Sequence, residues 1–214
     1  ALLNAPTPEI ETACRNEFST MRVEVMAGQY LDVLEENAAL TRPASESVGR
    51  ATRVILYKTA KYSIEAPMLI GAAFAGATPA MLRGLSAFGF PLGMAFQLKD
   101  DILGVFGDPE VTGKPAGDDL REGKRTVLVG LTRETLPKSI ATIFDELLTS
   151  RVLDGEQIAF LQQTIIDSGA LAKTERMMQE LADESLNALE SLELDPRAKE
   201  QLKKLALLVI NRDA

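Results

Sequence analysis

Across the 214 residues helical periodicity dominates, with apolar positions recurring every three or four residues, and no convincing alternating strand is present. That period belongs to α-helices, so an all-α chain is expected. Local punctuation divides it. Thr7-Pro8-Glu9 is a helix start, with Thr as cap and Pro in the first turn, and the helix extends to about Glu36. After a polar stretch over 37–45, a second helix covers 46–57 and ends at Lys58, and another carries Thr59 to about Ala75. Thr78-Pro79 opens the next helix, which Pro91 should kink and Asp108-Pro109 should end. Residues 111–117 read as loop, and Asp119-Leu120-Arg121-Glu122 has capping-box form, with Asp119 as the cap that restarts helix. Further helices are expected at 138–148, 155–167, 170–191 and 196–212. With no repeat, low-complexity segment or linker, 1–214 reads as a single domain.

Composition narrows the chemistry. The hydrophobic fraction of 46% is that of a globular chain. A net charge of −8 argues against nucleic-acid partners and against an anionic membrane surface, which need clustered Lys and Arg. The chain has no histidine, which excludes histidine bases, Ser-His-Asp catalysis and histidine-based zinc sites. Cys14 stands alone, so neither a disulfide nor a thiolate cluster is available, and a cytoplasmic setting is expected. Carboxylate oxygens remain as metal ligands, and these suit Mg²⁺, Mn²⁺ or Ca²⁺. The low-charge stretch 66–82 is interrupted by Pro67 and Pro79 and is short for a spanning helix. It reads as tightly packed core, so no membrane insertion is expected, and no signal peptide is visible.

The segment from Phe96 to Asp108 carries the candidate site. At about 100° per residue, Gln97, Asp100, Asp101, Gly104 and Asp108 share roughly a 100° arc, with Phe96, Leu98, Ile102, Leu103, Val105 and Phe106 opposite. A solvated face of an amphipathic helix would also carry charges. Two features weigh against that. The acids lie near the helix C-terminus, where the dipole disfavours them, and adjacent carboxylates repel unless a cation compensates. Gly113-Lys114 and Gly123-Lys124 follow in glycine-broken sequence that a ligand could approach closely. Acids followed by lysines suit a Mg²⁺-bound diphosphate.

In order, Phe96-Gln97-x-x-Asp100-Asp101, Phe106-Gly107-Asp108, Thr112-Gly113-Lys114-Pro115 and Asp119-Leu120-x-x-Gly123-Lys124-x-Thr126 resemble the second aspartate-rich region of trans-isoprenyl diphosphate synthases. Gly28-Gln29-Tyr30-Leu31-Asp32 looks like that family's Gly-Gln helix and Lys58-Thr59-Ala60 like its Lys-Thr motif. The resemblance implies a helical bundle around a deep central cavity. It implies a prenyltransferase of isoprenoid biosynthesis that joins isopentenyl diphosphate head-to-tail to an allylic diphosphate with Mg²⁺, Mn²⁺ being an alternative. It also implies a homodimer and a geranylgeranyl- or farnesyl-type product. Carried over by position, Asp100 would be a Mg²⁺ ligand and Asp101 a direct or water-mediated one. Gln97 would lie near the allylic diphosphate, Lys58, Lys114 and Lys124 would hold diphosphate, and Thr59 would line the site. Gln29 is as readily a bond within the bundle, and Arg22 and Glu24 look structural.

The chain departs from the family twice. The usual third aspartate of the second motif falls at Gly104, and Asp108 would lie about 12 Å along the axis from Asp100. The first aspartate-rich motif and the residues that bind isopentenyl diphosphate are absent. Glu35-Glu36 is the only other early acid pair, in the wrong context. The chain is therefore expected to be the C-terminal part of a larger enzyme, lacking its N-terminal helices, inactive alone and exposing apolar helix faces. The alternative is a non-catalytic regulatory subunit of a heteromeric synthase.

Overall fold

The computed structural model describes residues 5–38, 41–113, 115–150 and 152–211, and these contain helices and no strand. Helix α1 is Pro8–Ala38. Thr7 caps it as expected, its Oγ1 accepting the Ile10 N–H at 3.3 Å.

The next boundary is not where punctuation placed it. Helix α2, Ser47–Ile55, does not stop at Lys58; it passes into a π-helix, Leu56–Glu65, and then into α3, Ala66–Phe74. No glycine or proline stands between Ile55 and Ala66 to end the helix. Pro67 has no N–H to give, and the N–H just before it, that of Ala66, bonds to the Lys61 carbonyl in the wider pattern.

Helix α4, Pro79–Phe106, is capped by Thr78, whose Oγ1 accepts from the Met81 N–H at 3.2 Å, and it runs through Pro91. Asp108 lies beyond its end and so does not share the face of Asp100. It caps α5, Pro109–Thr112, by accepting from the Glu110 N–H at 2.9 Å, where loop was expected. The cap of α6, Asp118–Arg121, is Gly117 and not Asp119. That helix stops after one turn, and Thr126 starts α7, Val127–Thr135, by accepting from the Val129 N–H. The remaining helices, α8 Lys138–Thr149, α9 Gly155–Asp167, α10 Ala170–Glu190 and α11 Pro196–Ile210, fall within two residues of expectation. Local signals set them: Asp154 and Gln157 form a full capping box on α9.

The helices gather into two compact units. The first draws on residues up to Tyr30, Val54–Gln97 and Gln179–Asn211. Its core joins α4, α10 and α11 through Phe88, Leu92, Ala182, Leu189, Ala206 and Ile210. Buried Ser185 donates its hydroxyl to the Phe88 carbonyl at 2.8 Å, a polar tie inside this apolar contact. Ser185→Ala should cost about 1–2 kcal/mol, read by urea unfolding, because the acceptor is left buried without that donor. The small-residue stretch read as packed core is only partly so. Ala66 and Ala73 are buried, but nothing lies near Gly71 and Phe74 is 39% exposed. On α1, Val23, Met26 and Tyr30 at i, i+3 and i+7 are about 70% exposed and form an outward apolar seam.

The second unit draws on Leu31–Arg53 and Leu98–Met178. Six consecutive residues of α7, Val127 to Thr132, are buried, a helix enclosed on every side. Phe144 and Leu148 of α8 and Leu161 and Ile165 of α9 complete this core. Buried Glu35 is held by Arg50 and Arg42, each at 2.8 Å, so this acid is spent on ion pairs. Among the described residues no helix is long and apolar enough to cross a membrane.

Candidate functional site

The predicted residues fall into two groups, one in each unit. In the first unit, Lys58 and Thr59 sit inside the π-helix and not at a helix end. Two glycines let neighbouring backbones meet this segment. A Cβ on Gly28 of α1 would stand 2.4 Å from the Lys58 nitrogen, and one on Gly93 of α4 would stand 2.6 Å from the Ala60 Cα. Such approaches need glycine, since backbone cannot swing aside as a side chain can. One turn along α4 from Gly93, the Thr59 hydroxyl donates to Gln97 Oε1 at 2.8 Å. Thr59 thereby commits the amide carbonyl and turns the Gln97 NH₂ away from itself. Neither residue's partner is visible in sequence, since they are 38 positions apart.

Around the same π-helix, Lys61 pairs with Glu24 of α1, which gives Glu24 the structural role expected of it. Desolvation alone would lower the Lys61 ammonium, but its hydrogen bond to Glu24 and the charge of that group hold it above its usual value. Glu17, Glu24, Lys61 and Glu65 line a cavity of about 110 Å³ here, which includes none of the predicted site residues. Arg22 lies over the Phe18 ring at 5.9 Å. Gln29 is exposed.

In the second unit, Asp100 is half-buried and Asp101 is 4% exposed, so the acid pair is not a solvated face. Leu98 and Val105 are fully enclosed and share the buried face with Asp101, whereas Phe96, Ile102, Leu103 and Phe106, expected opposite the acids, are only partly buried. Lys114 lies outside the described residues. Lys124 is described, and it is tied at both ends to Asp119. Its backbone N–H donates to the Asp119 carbonyl at 3.0 Å, and its ammonium donates to Asp119 Oδ1 at 2.5 Å. Glu122 Oε2 lies 3.0 Å from the same ammonium. Gly123 makes this return possible. It has φ of +68°, and a Cβ there would stand 2.5 Å from the Leu148 carbonyl oxygen.

Asp119 is the residue that sequence reading misplaced. It is buried at 5% exposure and makes no cap bond. Its carboxylate lies against α4 at Gly104, where an added Cβ would stand 2.2 Å from Oδ2 and 2.8 Å from Oδ1. Burial holds its carboxyl above the ordinary value; the Asp100 charge adds to this and Lys124 offsets only part of it. Burial works to lower Lys124, but its bonds to Asp119 and Glu122 prevail and raise it, so it stays cationic through the neutral range. The signal for this arrangement was present in Gly104, an unexplained glycine late on an acidic helix, but its partner is 15 positions away.

Among the described residues no three carboxylates or thiols come close enough to make a metal cage by themselves. The acid pair can supply two oxygen ligands to a hard cation that takes its remaining ligands from water or from a phosphate group. The Lys124 ammonium can meet a phosphate oxygen beside it.

The polyprenyl synthetase family model matches residues 7–165. Geranylfarnesyl diphosphate synthase of Aeropyrum pernix is 32% identical over 198 residues, 91% of this chain and 58% of that protein. Heptaprenyl diphosphate synthase component 2 of Geobacillus stearothermophilus is 32% identical over 89% of this chain and 56% of its own length. The solved geranylgeranyl pyrophosphate synthase of Corynebacterium glutamicum, in complex with isoprenyl diphosphate and magnesium, is 38% identical. It superposes with a TM-score of 0.89 over 96% of this chain and 57% of that one. The chain thus spans a little over half the length of these relatives. Its all-α architecture is that of the polyprenyl synthases, and the chain belongs to the polyprenyl synthetase family.

Proposed function

We propose that the protein condenses isopentenyl diphosphate head-to-tail with an allylic diphosphate in a magnesium-dependent reaction, extending the allylic chain to a geranylgeranyl- or farnesyl-type product. The observation that carries this reading is the half-buried Asp100 beside buried Asp101 on α4. The donor set suits magnesium: the ligands are carboxylate oxygens, the chain has no histidine, and its one thiol, Cys14, is buried in the other unit. Asp100 and Asp101 would hold the ion, which when bound offsets the charge of the departing diphosphate. Lys58, Lys114 and Lys124 would grip diphosphate oxygens. Gln97, oriented by Thr59, would direct its NH₂ to the allylic diphosphate. The Corynebacterium enzyme's complex with isoprenyl diphosphate and magnesium supports this choice of ligands.

The test is product formation by the native gene product, supplied with isopentenyl diphosphate and allylic diphosphates of increasing length. Elongated product is expected with Mg²⁺. EDTA should abolish it and added Mg²⁺ or Mn²⁺ should restore it. Failure to elongate any allylic diphosphate would overturn the reading and favour a non-catalytic subunit.

A further inference from the structure

Position 104 is where a third aspartate of the acidic motif would fall, and a glycine stands there. The space a side chain would need is filled. The Asp119 carboxylate lies with Oδ2 2.2 Å from the point a Cβ of residue 104 would occupy. From that seat it holds the Lys124 ammonium at 2.5 Å. We infer that Asp119 is the positioning residue for Lys124, and that residue 104 is glycine so that the Asp119 carboxylate can lie against α4. The inference rests on the diphosphate-binding role proposed above for Lys124.

Lysine is a point charge on a flexible four-carbon stem, so its ammonium has no fixed direction of its own. Asp119 supplies one. The carboxylate is almost wholly buried and cannot follow its partner outward, so pulling Lys124 away would strand a buried charge. Ligand binding is therefore expected to leave the pair intact. An ammonium has three N–H donors. Asp119 takes one, and the competing Glu122 side chain is 53% exposed and readily displaced. A phosphate oxygen can take the place of Glu122 while Asp119 keeps the ammonium aimed. The fixed direction lowers the ordering cost that a free lysine would meet on binding. On this account Gly104 has not simply lost a ligand; it makes room for a carboxylate that arrives from α6 and acts through a lysine.

The experiment is calorimetric titration of inorganic diphosphate in the presence of Mg²⁺, on the native gene product and four variants. Asp119→Asn keeps shape and removes charge. Gly104→Ala keeps the charge and displaces the carboxylate. Each is expected to weaken diphosphate binding about tenfold, the scale of one charge-assisted hydrogen bond. Lys124→Met should lose at least as much. Asp119→Asn combined with Lys124→Met should be no weaker than Lys124→Met alone, because a positioning residue has nothing left to position. Binding by Asp119→Asn within twofold of the parent, or additive losses in the double variant, would overturn the inference. If the parent itself bound no Mg²⁺-diphosphate, the proposed function would fall, and the inference with it. Should Asp119→Asn not fold, Gly104→Ala decides: unweakened binding there refutes the role.

Discussion

Asp100→Ala in the native gene product should lower turnover on the order of a thousandfold, while its folding stability changes little. The magnitude follows from what the carboxylate is proposed to hold. A metal ion that offsets charge on a departing group supplies several kcal/mol of transition-state stabilisation, and each 1.36 kcal/mol is tenfold in rate. The small effect on stability follows from the fold. Asp100 lies near the C-terminal end of α4, beside Asp101 and within the field of Asp119, so its charge meets the helix dipole and two like charges. Relief of that repulsion offsets the loss of the contacts the carboxylate makes in the fold. A loss of activity that came from unfolding would instead be accompanied by a fall in Tm. The two measurements are steady-state turnover at saturating diphosphate substrates and thermal unfolding without metal. Near-parental turnover would remove Asp100 from the metal site, and a large fall in Tm would assign it to the fold.

What could be read from the sequence divides along a physical line. Helix starts were legible because caps act within three residues: Thr7 to Ile10, Thr78 to Met81 and Asp154 to Gln157 are all local bonds. The acid pair was legible because its electrostatics are written into adjacent positions. Asp119 failed as a cap because its environment is set by α4, where Gly104 leaves the space it enters. Asp108 was placed on the acidic face by assuming two more helical residues than α4 contains; Gly107 N–H bonds to the Leu103 carbonyl and the chain then leaves the axis for a new cap. Thr59 and Gln97 were each identified, yet their bond was not, since the helices that carry them meet only in the fold. The π-helix was illegible for a further reason. No residue in Leu56–Glu65 forbids an ordinary α-turn, so the wider turn is imposed by packing against Gly28 and Gly93 and by Pro67 downstream.

That packing makes Gly28→Ala the most informative change for the fold, because the same substitution should act with opposite sign elsewhere on the helices. Alanine favours helix over glycine by about 1 kcal/mol. At Gly49 on α2 nothing lies within reach of an added Cβ, so Gly49→Ala should stabilise by roughly 0.5–1 kcal/mol. At Gly28 the new Cβ would stand 2.4 Å from the Lys58 nitrogen, 2.7 Å from the Lys58 Cα and 2.7 Å from the Tyr57 carbonyl carbon. All three are backbone atoms, so relief requires α1 and the π-helix to separate. Overpacking of that kind costs about 1–3 kcal/mol and more where backbone must move, which outweighs the propensity gain. The expected net is a loss of about 2 kcal/mol or more in urea unfolding, against a gain for Gly49→Ala in the same assay. Because the contact is with Lys58 itself, Gly28→Ala should also weaken Mg²⁺-diphosphate binding, whereas Gly49→Ala should leave it unchanged. Equal and favourable effects from both substitutions would mean that α1 does not press on the π-helix, and that the Gly-Gln segment does not set where Lys58 stands.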